Sequence, residues 1–370
     1  MAMRVVFFSE SQGWSGGAAQ MLALALGLRA RGVSVLLATP GDGEAAKRAR
    51  AAGLDHQPLH PREDYDLPTA WRLKDLLSRE KADVLHAHHP RAHAVGLIAM
   101  HLLRPRPVFV VSRRVSFAVK RNPFSALKYR SPRIDGYAAV AENVRRRLID
   151  AGVDPARTRT IRSGVDTARF APVPKDAALL AELAIPAGTA VVGKIANYSE
   201  WKGQSVFFAA AGGLRRSGRQ AVFLVAGRDT DGPVCRAAAR AAGLAEADMR
   251  FLGFRADVPR VLSLLDVSVN AAMQGEGISG ALRESLAMGI PVVASDAGGN
   301  AELVREGATG RLFRAGSAAE LERVLDDTLA RPDAARRLAQ TGRELVLREF
   351  SLDAMVDNTL AYYRDLLAPV

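Results

Sequence analysis

Short runs of apolar, β-forming residues alternate with helical segments along almost the whole chain. In the first half, these runs cover residues 5–8, 33–39, 82–89, 107–112 and 136–141. The segments between the runs carry helical apolar spacing, and the helix at 18–32 ends at a glycine. Strands that alternate with helices favour a parallel, doubly wound α/β sheet.

The alternation lapses once, around residues 171–190, where APVPKD carries two prolines, and a second alternating series follows it. A chain of 370 residues is also long enough for two domains. We therefore predict two Rossmann-like domains, at 1–170 and 171–350. The tail at 351–370 should form a helix that crosses back to the first domain. Ligands of open parallel sheets bind beyond the carboxyl ends of the strands, so we expect the domains to face each other across a cleft.

The composition excludes several classes of protein. With 48% hydrophobic and 24% charged residues, the chain is too apolar for a disordered protein. It has no run of the ~20 apolar residues that cross a membrane, and its start lacks the layout of a signal peptide. One cysteine, Cys235, supports neither an internal disulfide nor a cysteine-based metal site. We expect a cytoplasmic protein without a cofactor.

The net charge of +12 predicts an anionic partner: nucleic acid, a phosphorylated substrate or an acidic membrane surface. Between residues 112 and 160, twelve Arg and Lys face only four acidic residues. Within this stretch, the segment 112–133 interleaves basic residues with Phe117, Phe124, Leu127 and Tyr129. That mixture suits an anionic membrane, a phosphorylated acceptor or RNA, and equally a surface loop with core-packing aromatic residues.

The most informative motif is QGEGISGALRESLAMGIPVVAS, at 274–295. A strand runs into a glycine-rich turn, and a helix opens near Ser279. Such a turn lets backbone amides approach a diphosphate at the positive end of a helix. Glu276 and Glu284 can accept hydrogen bonds from sugar hydroxyls at two ends of an extended ligand. The alternative is a glycine-capped helix with acids that face solvent.

This motif resembles the signature of the retaining glycosyltransferases of family four, which have the GT-B fold. In that signature, seven residues separate two glutamates and Ala/Ser-x-Ala-x-Gly-x-Pro-Val-Val-Ala follows, as in Glu276-GISGALR-Glu284-SLAMGIPVVA. IRSGVDTARF at 161–170 is similar to the segment before the interdomain linker of the family, with Ser163 in place of the usual Asn. FLGFRADVPRVLSLLDV at 251–267 is similar to the strand and helix beside the nucleotide base.

The resemblance implies roles for individual residues. Glu276 contacts the donor sugar and Glu284 binds the ribose. The turn between them holds the distal phosphate through Gly277, Ile278, Ser279 and Gly280, and the family often has Gly where this chain has Ser279. Phe254 and Arg255 lie beside the base.

A basic turn, GKIANYSEWKGQ at 193–204, corresponds to the place where the family has an Arg and a Lys. The resemblance implies that Lys194 and Lys202 neutralise the leaving diphosphate without a metal. Lys194 stands where the family has Arg, at a longer spacing from Lys202 than usual. Asp229-Thr230-Asp231 spells the Asp-x-Asp of metal-dependent transferases, but its Asp/Gly surroundings favour a simple turn.

Two further candidates come from the first half of the chain. Gly16 and Gly17 precede the first helix, but no acidic residue ends the second strand, which disfavours a dehydrogenase. In the family, this glycine loop closes on the donor phosphates and the acceptor. In LHAHHP at 85–90, the resemblance directs His88 at the donor sugar, while His86 is expected as a half-buried strand residue. No Cys or acid lies near His88 and His89 in sequence to complete a metal site.

Together these features predict a retaining, metal-independent transfer of a sugar from a UDP- or GDP-linked donor to a glycan or glycolipid hydroxyl. The pathway expected is cell-envelope polysaccharide or lipopolysaccharide biosynthesis, and a further expectation is peripheral contact with an anionic membrane through 112–133. A nucleotide-sugar hydrolase or epimerase of the same fold, an inactive membrane-bound scaffold and a basic nucleic-acid-binding protein are the alternatives. The last is disfavoured because no RNA or DNA module is recognised and because the two glutamates oppose phosphate binding.

Overall fold

The computed structural model describes residues 3–117, 119 and 123–368; of residues 123 and 124 it describes only the backbone. The chain forms two compact units. The first unit comprises residues 1–164 with 352–370, and the second comprises residues 165–351. The sequence analysis placed these limits at 170 and 350.

The first unit is built on a parallel sheet with the strand order β3-β2-β1-β4-β5-β6-β7. Its strands are β1 (Arg4–Phe8), β2 (Ser34–Thr39), β3 (Asp55–Pro58), β4 (Val84–Ala87), β5 (Val108–Arg113), β6 (Gly136–Ala139) and β7 (Thr158–Thr160). The helices between them are α1 (Gly16–Ala30), α2 (Glu44–Ala51), α3 (Leu67–Arg79), α4 (Pro90–Leu102), α5 (Pro123–Arg130) and α6 (Glu142–Asp150). The central strands β1 and β4 are buried, as the apolar runs predict.

The second unit repeats the architecture with the strand order β10-β9-β8-β11-β12-β13. Its strands are β8 (Ala190–Ile195), β9 (Ala221–Ala226), β10 (Met249–Phe251), β11 (Val267–Asn270), β12 (Val292–Ser295) and β13 (Arg311–Phe313). Its helices are α7 (Ala177–Glu182), α8 (Gln204–Arg216), α9 (Pro233–Ala241), α10 (Val258–Ser263), α11 (Gly280–Ala287), α12 (Asn300–Leu303), α13 (Ala318–Ala330) and α14 (Pro332–Glu349). Two parallel sheets with alternating helices confirm the predicted α/β class.

The last helix, α15 (Leu352–Leu367), belongs to the first unit and packs against α1. The packing is close: a Cβ atom at Gly27 of α1 would lie 2.3 Å from Cγ2 of Val356. Gly27 therefore lets the two helices approach each other. Of the helices that the described residues form, none combines the length and the apolar character needed to cross a membrane.

Candidate functional site

The second sheet brings two loops together at its carboxyl edge. Strands β8 and β11 are neighbours, so the segments that follow Ile195 and Asn270 emerge side by side. The amide of Met273 donates a 2.8 Å hydrogen bond to the carbonyl oxygen of Trp201. Gly203 has φ +70°, and a Cβ atom there would lie 1.8 Å from the carbonyl oxygen of Ala271. The close approach of the two loops therefore requires glycine at 203.

Three residues predicted from sequence meet at this edge. Lys202, in a short 3₁₀ turn after β8, places its Nζ 2.5 Å from Oε1 of Glu276 in the loop after β11. Both side chains are largely buried, with 22% and 11% exposed. Lys194 lies on β8 and is 1% exposed, and the charges of both residues affect its pKa. Within the described part of the chain, Nζ of Lys194 has no hydrogen-bond partner.

Burial is the main reason that the pKa of Lys194 falls to about 7, and the positive charge of Lys202 lowers it further. The Glu276 carboxylate acts in the opposite direction. At neutral pH, Lys194 is therefore close to half protonated, whereas an exposed lysine is fully charged.

A buried amide network holds the loop after β11. Asn300, at the start of α12, donates from Nδ2 to Oδ1 of Asn270 at 3.2 Å and to the carbonyl oxygen of Ser295 at 3.3 Å. Its Oδ1 accepts from the backbone amide of Ser279 at 3.3 Å. Ser295 also holds this loop, because its Oγ donates a 2.6 Å hydrogen bond to the carbonyl oxygen of Ala272. The sequence analysis missed these residues. Asn270 and Ser295 are polar residues at the ends of two buried strands, and that pattern could have indicated them.

Gly298 is a second residue that the sequence analysis missed. It has φ +63°, and a Cβ atom there would lie 2.1 Å from the carbonyl oxygen of Glu276. A larger residue at 298 would therefore displace the backbone that carries Glu276.

The predicted phosphate-binding turn leads directly into α11. Gly277, Ile278 and Ser279 are buried and Gly280 is partly exposed. Ser279 occupies the N-cap position of α11 without a side-chain capping bond, and its amide is already engaged by Asn300. The turn thus lies at a helix N-terminus, as the motif predicted. Its Ser279 amide, however, already donates to Oδ1 of Asn300.

Glu284 lies one turn into α11 and leans back toward the helix start. Its Oε1 lies 4.0 Å from where a Cβ atom on Gly280 would be. Burial raises the pKa of Glu284, and the positive charges of Arg283 and Arg169 oppose that rise. Arg283 is itself buried, which lowers its pKa to about 10. Arg169 had no role in the sequence analysis, although it lies in the quoted segment 161–170.

The candidates beside the base lie in the loop after β10. Phe254 is 67% exposed, whereas the guanidinium of Arg255 is paired with Asp257 at 2.6 Å. An aromatic face is therefore open to solvent here. Asp229 has φ +64° in a turn between β9 and α9. The described residues contain no group of three or more His, Cys, Asp or Glu that could hold a metal ion.

The carboxyl edge of the first sheet carries histidines. His86 lies on β4 and is fully buried, not half-buried as expected, because α15 places the hydroxyl of Tyr363 2.5 Å from its Nδ1. Its Nε2 lies 2.8 Å from Oγ of Ser112. Burial lowers the pKa of His86 to about 3, with a smaller effect from Arg114, so the ring is neutral at pH 7.

His88 follows β4 and is also buried, with its ring centroid 4.1 Å from that of His86. Burial, His86, Arg114 and His89 together lower its pKa well below the ordinary value. Its Nδ1 lies 3.4 Å from Nη2 of Arg114, and its Nε2 has no partner among the residues that the structure describes. His88 is therefore a neutral ring whose Nε2 has no acceptor or donor within the described residues.

The predicted glycine loop lies beside these histidines. Gly16 and Gly17 form the first turn of α1, which is capped by the hydroxyl of Ser15. A Cβ atom on Gly17 would lie 3.4 Å from Nε2 of His89, while one on Gly16 would meet open space. The side chain of His89 is anchored by the hydroxyl of Ser9 at 2.7 Å.

The basic segment 112–133 borders a cavity of about 780 Å³ within the first unit. Apolar side chains of α4 and α5 line it, and Tyr65 and Leu127 at its rim are 70% and 74% exposed. Among the described residues, Arg113, Lys128 and Arg130 are the cations that line it. Residues 118 and 120–122 of the segment, and the side chain of Phe124, lie outside the described residues.

Two family models match this chain. The model of Glycosyltransferase Family 4 matches residues 14–169, and the model of Glycosyl transferases group 1 matches residues 189–331. Together the matches cover about four fifths of the chain. The protein is a glycosyltransferase. More narrowly, it belongs to the family four glycosyltransferases, as the sequence analysis predicted.

Relatives and solved structures agree with this assignment. The phosphatidyl-myo-inositol mannosyltransferase of Mycobacterium leprae is 27% identical over 90% of this chain and 88% of its own length. The lipopolysaccharide core biosynthesis mannosyltransferase LpcC of Rhizobium leguminosarum is 28% identical over 85% of this chain and 89% of its own length. Other relatives match over shorter stretches, and the alignment with one of them spans 27% of that relative.

The crystal structure of Anabaena HepE in complex with UDP-glucose matches with a TM-score of 0.84 and 22% identity, over 98% of this chain and all of that one. At this identity the likeness shows the fold, and it confirms the predicted two-domain α/β architecture.

Proposed function

We propose that the protein is a retaining glycosyltransferase that uses a UDP- or GDP-linked sugar. The grouping of Lys194, Lys202 and Glu276 at the edge of the second sheet carries this proposal. It offers cations for a diphosphate and a carboxylate for sugar hydroxyls, beside the start of α11. The UDP-glucose in the HepE structure supports the donor class.

In the proposed reaction, the bond between the anomeric carbon and the donor diphosphate breaks. A bond from that carbon to the acceptor oxygen forms on the same face, and a leaving phosphate oxygen takes the acceptor proton. Lys202 and Lys194 stabilise the developing diphosphate charge, so that no metal is required. Glu276 and His88 position the sugar, and Glu284 binds the ribose. The backbone at 277–280 holds the distal phosphate, and Phe254 and Arg255 lie beside the base.

For the acceptor, we propose a glycan or lipid-linked glycan of cell-envelope polysaccharide or lipopolysaccharide biosynthesis. The role of the Rhizobium relative supports this class. We further propose that the first unit contacts an anionic membrane surface on the cytoplasmic side. Support comes from an apolar cavity with exposed Tyr65 and Leu127 at its rim and basic side chains in its lining.

A thermal-shift screen against UDP, GDP and their sugars, with and without EDTA, tests the donor class. A nucleotide at about 100 times its Kd should stabilise the protein by about 2.7 kcal/mol. Glu284→Gln should lower the affinity for that nucleotide about tenfold, because the substitution removes the charge of a hydrogen-bonding carboxylate. Glu344→Gln on the exposed face of α14 is the matched control and should leave affinity unchanged.

The reaction itself is tested by the products. NMR of the product should show the anomeric configuration of the donor, and EDTA should not stop turnover. Free sugar as the main product in the presence of acceptors would indicate a hydrolase. Salt-sensitive RNA binding without any nucleotide-dependent shift would favour the nucleic-acid alternative.

A further inference from the structure

We propose that Lys194, buried without a hydrogen-bond partner among the described residues, is an anion ligand that takes up a proton when the donor diphosphate binds. This inference rests on the proposed function and deepens it: protonation of one buried lysine becomes a step of donor binding. A permanently charged arginine could not act in this way.

The position of Lys194 explains why it loses its proton at a lower pH than an exposed lysine. It is the fifth residue of β8, a central strand flanked by β9 and β11, and it is 1% exposed. Among the described residues, its Nζ has no hydrogen-bond partner. An ammonium group buried without a partner is strongly disfavoured, whereas a neutral amine is tolerated there.

The charged groups that face Lys194 come from the two loops. Lys202 follows β8, and Glu276 follows β11. The flanking strands, AVFLVA and VSVN, contain no titratable residue. The Lys202 ammonium lies 2.5 Å from Oε1 of Glu276, so it already neutralises much of the carboxylate charge. Within the described part of the chain, Lys194 therefore lacks a counter-ion of its own.

A bound diphosphate changes this balance. It brings negative charge to the lysines and competes with Glu276 for Lys202. As Lys202 turns to the phosphate, Glu276 becomes available to sugar hydroxyls. Both changes make the surroundings of Lys194 more negative and so favour its protonated form.

The size of the effect follows from the pKa of about 7 in the free protein. At pH 8, about one tenth of such a group is protonated, so binding should take up about 0.9 proton. At pH 8, the phosphate of the nucleotide is already ionised, since its pKa is about 6. Nucleotide affinity should consequently fall up to about tenfold per pH unit above 7.

Calorimetric titration with UDP at pH 8, in HEPES and in Tris, measures the proton directly, because the two buffers differ in ionisation enthalpy. GDP replaces UDP if it is the nucleotide that binds. The wild-type protein should take up about 0.9 proton. Lys194→Met should bind more weakly, show no buffer dependence and lose the pH dependence of affinity between 7 and 9. Lys175→Met removes a surface lysine that pairs with Asp266, and it should behave as wild type.

Nucleotide binding with equal heats in both buffers would overturn the inference while leaving the proposed function intact. Proton uptake that persists in Lys194→Met would assign the proton to another group and would also overturn it. If neither nucleotide binds, the proposed function fails and this inference fails with it. The comparison of buffers uses the wild-type protein, so the test stands even if the variant does not fold.

Discussion

The carboxyl edges of the two sheets bury different bases. In the first unit, His86 has a partner at each ring nitrogen, Tyr363 and Ser112. In the second unit, Lys194 is equally buried but has no hydrogen-bond partner within the described residues. Burial lowers the pKa of both, to about 3 for the histidine and about 7 for the lysine.

The difference shows how one physical effect gives two behaviours. A histidine begins near pKa 6.5, so burial leaves it neutral throughout the physiological range. A lysine begins near 10.5, and a similar downward shift brings it to the pH at which the cell works. The buried histidine of the first edge therefore stays neutral, while the charge of Lys194 at the second edge can respond to a ligand.

The largest expected effect is a loss of catalytic rate when a cation at the edge of the second sheet is removed. Lys202→Ala removes the cation that pairs with Glu276, and we expect kcat to fall about 100- to 1000-fold, as when a preorganised charge-stabilising group is lost. Steady-state kinetics at saturating donor measure this. Lys47→Ala, which removes an exposed ion pair with Glu44 in the first unit, is the control. An unchanged kcat in Lys202→Ala would remove its role at the leaving group.

A smaller effect tests whether the buried His86 at the edge of the first sheet contributes to stability and not to nucleotide binding. Tyr363→Phe deletes the hydroxyl at Nδ1 of His86, and the free energy of unfolding should fall by about 1–3 kcal/mol because a buried polar atom loses its partner. Urea unfolding measures this loss, and Tyr65→Phe at an exposed site should show none. Nucleotide affinity should be unchanged in both variants. Weaker nucleotide binding in Tyr363→Phe would contradict the separation of roles.

The smallest effect concerns pH. The folded pKa of His86 is about 3 against about 6.5 unfolded, so the unfolded chain binds more protons between these values. Stability is therefore complete above about pH 6.5 and is lost as pH falls, by about 1 kcal/mol per pH unit for this residue. Urea unfolding at pH 7, 6 and 5 measures the slope, which His86→Gln should reduce. Equal slopes in both proteins would show that His86 is not held neutral.

Much of the architecture was predictable because its signals are local. Strand and helix periodicity identified both α/β halves, although β4 ends at Ala87 and not at His89. The two glutamates were found because glycines and acids follow an apolar strand at short spacings, whereas Lys202 was found through the resemblance of its basic turn to the family. A β-strand beside a glycine turn and a helix fixes which edge of a sheet such residues occupy.

Contacts between distant parts of the chain were decided only by the tertiary structure. Glu276 pairs with Lys202 74 residues away, and Tyr363 reaches His86 277 residues away. Asn300, at the start of α12, accepts a hydrogen bond from the amide of Ser279. No local sequence pattern predicts these long-range contacts, because they depend on which strands become neighbours in the sheet. The sequence determined which chemical groups the protein carries; the packing determined which of them are paired, which are neutral, and that Lys194 lies buried with its ammonium nitrogen unpaired among the described residues.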